Sequence, residues 1–183
     1  MLKESEFYKK IDIKCFPEIK DKLLALHYDQ LYPIQKQAVD FKWNRDNFFE
    51  LYDEIEDLAR SLDTAVNVSK FFIIPTNWRT MAHVDGTDTN TMRWALNIPI
   101  VFAQDNHYMS WYSYSGEYVD DYNGAYRHAL LAKEPHKLER VSRLTMLEPH
   151  LVKVGILHSI ENLNPIPRIT LTIRFVKSFF PEI

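Results

Sequence analysis

The chain has 183 residues, 46% of them hydrophobic, and a formal net charge of −3, which suits one domain with a core of its own and gives no basic stripe to track phosphates. Aromatic residues at 14% and only four glycines exclude a collagen-like repeat, a flexible linker array and a disordered acidic polymer. Cys15 is the single thiol, so no intrachain disulfide forms, and no apolar run approaches the length that crosses a bilayer; the expectation is a soluble cytoplasmic protein without a nucleic-acid partner.

In chain order, the first expected helix runs from Pro17 to about Leu26, with Pro17 in the first turn and Leu23 and Leu24 facing inward. Just before it, Cys15 reads as a small buried hydrophobe, since no neighbouring His or basic pair is evident to lower its pKa. Residues 46–62 carry the clearest helical period: Phe48, Leu51, Tyr52, Ile55, Leu58, Ala59 and Leu62 recur every three or four positions, and Asp63 falls where the period stops. From residue 65 the texture changes to short runs rich in Val, Ile, Phe, Tyr and Thr. Strands are expected near 70–75, 81–85, 93–102, 108–114, 142–147, 151–158 and 168–177, with a doubtful helical stretch around 125–140 that contains Pro135. Helices first and strands afterwards predict a mainly β fold, with 1–65 as a helical N-terminal part packed on a jelly roll or cupin-like barrel formed by 66–178, all in a single domain over 1–183.

Three features carry chemistry. His83-Val84-Asp85 places an imidazole and a carboxylate at i and i+2 of a strand, hence on one face. His158 closes the apolar run from Leu151 and is expected to share an inward face with Val152, Val154 and Ile156, where a satisfied core histidine is the commoner outcome. In the last strand Ile169, Leu171, Ile173 and Phe175 alternate with Arg168, Thr170, Thr172 and Arg174. The commoner reading of such alternation puts the polar face in solvent; if it lines a pocket instead, Arg168 offers a bidentate grip on a carboxylate. Two imidazoles and one carboxylate form the facial triad of non-haem Fe(II) oxygenases. Arg168 follows His158 by ten positions, so a short turn through Pro165 and Pro167 is expected to bring its strand beside the histidine.

In this combination the sequence resembles the 2-oxoglutarate/Fe(II) oxygenase superfamily, and within it the small prolyl- or aspartyl-hydroxylase-like proteins of phages and marine bacteria. The matching blocks are His83-Val84-Asp85-Gly86, Ala95-Leu96-Asn97-Ile98-Pro99, Trp111-Tyr112 and His158 to Phe175, covering about residues 70–177. The resemblance implies a double-stranded β-helix, Fe(II) on His83, Asp85 and His158, and 2-oxoglutarate as cosubstrate with its distal carboxylate on Arg168 and Thr170 beside it. Arg174 is the alternative carboxylate partner, and Asn97 and Tyr112 are weaker cosubstrate or substrate contacts. It also implies hydroxylation of a small-molecule or peptide substrate that the sequence does not identify.

Other histidines compete for the ligand role. His107, His128, His136 and His150 lie in polar or Pro-flanked stretches that favour exposed loops, and His150 is the main rival to His158. The aromatic run Tyr108, Trp111, Tyr112, Tyr114, Tyr118 and Tyr122 reads either as a substrate mouth or as a packed hairpin with its hydroxyls in water. Rival functions are a cupin-type isomerase or binding module on another metal, which has no need of Arg168; a non-enzymatic phage protein; and a hydrolase, for which no Gly-x-Ser-x-Gly elbow exists.

Overall fold

The structure is a computed structural model that describes residues 6–31, 38–40, 45–46, 49–85, 91–101, 105–120 and 130–176. Its helices are α1 (Phe16–Leu31) and α2 (Phe49–Ser61). The period read in the sequence is the buried stripe of α2: Leu51, Ile55 and Ala59 are fully buried, and Ile19 and Leu23 do the same for α1. Asp63 ends α2 in the left-handed conformation at φ 50°, while the Thr64 amide bonds back to the Ala59 carbonyl. Glu54 of α2 accepts the backbone N–H groups of Lys14 and Cys15 at 2.7 and 3.0 Å, so one carboxylate ties the helices together at the entry to α1.

The strands are β1 (Tyr8–Lys10), β2 (Ala38–Asp40), β3 (Val66–Ile74), β4 (Trp78–Arg79), β5 (His83–Val84), β6 (Thr91–Val101), β7 (His107–Tyr114), β8 (Tyr118–Asp120), β9 (Leu130–Ala132), β10 (Leu138–Leu144), β11 (His150–Lys153), β12 (His158–Asn162) and β13 (Arg168–Val176). Among the described residues they form two antiparallel sheets: a six-stranded one in the order β1-β11-β6-β13-β3-β2, and a seven-stranded one in the order β10-β7-β12-β5-β9-β8 with β4 on β12. From β11 onward each strand lies in the opposite sheet from its predecessor, as in a jelly-roll or cupin-like fold.

The alternation of β13 explains the layers. Ile169, Leu171, Ile173 and Phe175 are fully buried against Leu23, Leu51 and Ile55, so the apolar face of this central strand meets the helices. The opposite face of the six-stranded sheet looks at the second sheet, where Ala95, Val152, Met109, Trp111 and Leu144 share a separate core. Arg168, Thr170 and Thr172 lie on that inner side and are buried, so the polar face of the last strand lines the space between the sheets and not solvent.

Several expected elements change shape. The run 151–158 is not one strand: β11 stops at Lys153, the chain crosses to the other sheet, and His158 begins β12. His158 therefore does not share a strand face with Val152, contrary to the expectation. Arg168 does not sit on a strand next to His158 either, because β13 pairs with β3 and β6 in the opposite sheet. Of the doubtful helix around 125–140, residues 125–129 lie outside the described residues, 130–132 are strand and Pro135–Lys137 form one 3-10 turn. No helix of the described chain is long and apolar enough to cross a membrane.

Candidate metal centre

Directly opposed residues of neighbouring strands point to the same face, and the pairing of β5, β12 and β7 aligns His83, His158 and Trp111 in one row. Trp111 belongs to the core between the sheets, so both imidazoles face inward. Asp85 follows β5 with the same parity as His83, and its amide is fixed by the Val154 carbonyl of the crossover at 3.0 Å. One candidate ligand atom from each of His83, Asp85 and His158 lies within 4.8 Å of the other two.

The hydrogen bonds set what these atoms can do. His83 Nδ1 meets the Met81 carbonyl at 2.7 Å and His158 Nδ1 the Ile156 carbonyl at 2.9 Å. A carbonyl only accepts, so Nδ1 carries the proton and Nε2 of each neutral ring presents a lone pair. His83 Nε2 is 3.1 Å from Asp85 Oδ1, His158 Nε2 is 3.9 Å from Oδ2, and the two rings are 4.5 Å apart between centroids. Burial, reinforced by His83, pushes the His158 pKa down to about 4 against the opposing pull of Asp85, so this ring is neutral at pH 7. Burial alone raises the Asp85 carboxyl, yet the Arg174 guanidinium beside it outweighs burial and holds Asp85 well below the usual carboxylate range. Lone pairs therefore converge on one point from three sides, which is the donor set of a divalent cation.

The other expected contacts separate into two groups. Arg174 forms an ion pair with Asp85 Oδ2 across the gap between the sheets, so it is engaged at the triad and not presented to a distal carboxylate. Arg168 is fully buried, its Nε has no hydrogen-bond partner, and its Nη2 only touches the Met146 sulfur at 3.9 Å. Burial lowers its pKa to about 10, so it stays charged at neutral pH without a carboxylate partner among the described residues. Thr170 Oγ1, on the same face, is likewise buried without a partner. Asn97 faces the gap too and accepts a hydrogen bond from Thr172 at 2.8 Å. Tyr112 does not: it follows Trp111 on β7 and so points to the other face, where its hydroxyl meets Ser159 at 2.8 Å.

Among the remaining histidines, His136 is exposed as expected and His128 lies outside the described residues. His107 and His150 depart from the exposed loops expected of them: both are strand residues, fully and almost fully buried. His150 faces the gap opposite Asn97, with its Nδ1 on the Glu148 carbonyl, but does not join the triad. The aromatic run is also less wet than expected. Trp111 is fully buried and donates to the Lys153 carbonyl at 2.7 Å, and Tyr114 donates to the Glu117 carbonyl while accepting the Glu134 amide; Tyr122 lies outside the described residues.

No family model and no curated protein matches the sequence. Solved structures do share the fold. The non-haem 2-oxoglutarate-dependent epimerase SnoN of nogalamycin biosynthesis, crystallised with Fe3+, 2-oxoglutarate and a nogalamycin, superimposes with a TM-score of 0.64 at 12% identity over 97% of this chain and 82% of its own. The carbocyclase SnoK of the same biosynthesis gives 0.60 at 12% over 96% and 84%. The viral collagen prolyl hydroxylase of Paramecium bursaria Chlorella virus-1, in its 2-oxoglutarate complex, gives 0.59 at 10% over 96% and 98%. The chain thus has the fold of non-haem 2-oxoglutarate-dependent enzymes that catalyse different outcomes.

Proposed function

We propose that this protein is a 2-oxoglutarate-dependent Fe(II) oxygenase on a double-stranded β-helix, which couples cosubstrate decarboxylation to hydroxylation of a small-molecule or peptide substrate. The observation that carries the reading is the meeting of two features in one inter-sheet space. Three lone-pair donors converge at His83, Asp85 and His158, and Arg168 holds a buried guanidinium without a counter-ion among the described residues. A metal answers the first and a dicarboxylate the second, whereas a cupin-type metal protein has no use for Arg168.

Iron bound here would activate dioxygen, giving the balance 2-oxoglutarate + O2 + R–H to succinate + CO2 + R–OH. The chain's own tasks are binding and orientation. His83 and His158 are held as Nε2 donors by their backbone carbonyls, and Arg174 ties up Asp85 Oδ2, leaving Oδ1 to face the metal position. Arg168 neutralises the distal carboxylate with the Thr170 hydroxyl on its face, and Val152, Val154 and Trp111 exclude water.

The reading is tested by adding Fe(II) and 2-oxoglutarate anaerobically, with a weak visible charge-transfer band as the expected result. In air, succinate release is expected from the native chain and not from His83→Ala or Asp85→Ala. Absence of the band, or undiminished succinate from either variant, contradicts the proposal.

A further inference from the structure

The row that holds the two imidazoles continues past them. On one side of His83 and His158 it runs to Trp111, fully buried, and on to Ser142 of β10. On the other side His83 pairs with Leu131 of β9 and Leu131 with Val119 of β8, so Leu131 and Val119 point to the same face as the histidines. Leu131 is half-buried and Val119 is 45% exposed. With strands about 4.8 Å apart, they lie roughly 5 and 10 Å from His83. Exposure within the triad rises the same way, from 2% at the His158 side chain to 8% at His83 and 23% at Asp85. The site is closed towards Trp111 and open towards β9 and β8.

We infer that Leu131 and Val119 form an apolar shelf beside the metal position, on which the substrate lays an uncharged aliphatic or aromatic group next to the carbon that is oxidised. The inference rests on the functional reading above and adds the class of substrate. Asp120, the charged residue of β8, pairs through Leu130 with Val84 and so belongs to the opposite face. Glu117 and Lys133, two residues along from Val119 and Leu131, share this face but are exposed and paired with each other at 2.8 Å, and Asp85 is paired with Arg174, so among the described residues an anionic or cationic substrate group finds no unpaired counter-charge on the shelf and loses its hydration. The shelf is also held in place. The Tyr114 hydroxyl bonds both the Glu117 carbonyl and the Glu134 amide, and Lys133 pairs with Glu117 at 2.8 Å, pinning β8 to β9 at the end next to Val119 and Leu131.

The test loads the full chain with Co(II) and 2-oxoglutarate and measures proton relaxation of benzyl alcohol, cyclohexylmethanol and glucose 6-phosphate, with the Zn(II)-loaded chain as diamagnetic blank. The two alcohols are expected to relax faster than in the blank and the sugar phosphate not. That enhancement is expected to vanish in Val119→Asp and Leu131→Asp and to persist in Val119→Ile, while the cobalt absorption spectrum with 2-oxoglutarate stays unchanged in all three variants. An unchanged cobalt spectrum with equal relaxation in native and Asp variants, or with preference for the phosphate, overturns the shelf alone. If 2-oxoglutarate leaves the cobalt spectrum of the native chain unperturbed, the functional reading falls and the shelf with it.

Discussion

Arg168 is held at a cost in the ligand-free protein, because a buried guanidinium that among the described residues meets a thioether and no carboxylate gives up its hydration without a compensating charge. Arg168→Met is therefore expected to stabilise the ligand-free chain by about 1–3 kcal/mol, read as a higher denaturation midpoint, and to remove stabilisation by added 2-oxoglutarate. A loss of stability would show that the cation already has a partner. Cys15 gives a pH prediction of the opposite kind. Partial burial, then the hydrogen bond and charge of Glu54, push its thiol up to about 12. The folded chain thus retains a proton that the unfolded chain releases near its ordinary value, so any stability linked to this group is present below about pH 8.5 and is lost as pH climbs towards 12. At pH 8 iodoacetamide should alkylate native Cys15 on the order of a hundredfold more slowly than the urea-unfolded chain, and Glu54→Gln should speed the native reaction.

Strand pairing is where the sequence speaks least. The helix α2 was legible because its period is local, and His83 and Asp85 were legible because i and i+2 share a face of any strand. The crossover at 154–157 was not, since an apolar run interrupted only by Gly155 reads as a continuous strand until its partners are known. The same gap hid the placement of Arg168 and the ion pair between Arg174 and Asp85, residues 89 positions apart on different sheets. Alternation in β13 was read correctly, but whether its polar face meets water or a second sheet depends on what lies across from it. The β7–β8 turn is a further non-local device. A Cβ on Gly116 would collide with the Tyr114 phenol and come within 2.7 Å of the Glu134 carboxylate, and the Tyr114 hydroxyl joins this turn to the segment after β9. Tyr114→Phe is expected to cost about 1–2 kcal/mol and to raise amide hydrogen exchange in β8 and β9 while leaving α2 unchanged; uniform exchange across all three would argue against this role.

At the scale of the whole molecule, six strands backed by two helices face a second sheet, and the proposed ligands come from both sides of that divide. Asp85 and the histidines hang on one sheet while Arg168 and Arg174 stand on the other. A metal with its cosubstrate would then act as a rivet between the layers. With each in hundredfold excess over its dissociation constant, binding of Co(II) and 2-oxoglutarate together should raise the melting temperature by roughly 5 °C or more. The gain should be larger than the sum of the two added singly, and strictly additive shifts would speak against a shared site.

Trp111 gives that site a voice of its own. Its indole is sealed from water and stands shoulder to shoulder with His158 on the adjoining strand, so its emission lies at short wavelength, apart from that of the exposed Trp78. A transition ion arriving at the histidines would dim the blue side of the spectrum first, and the unlabelled chain would report its own loading in an ordinary fluorimeter.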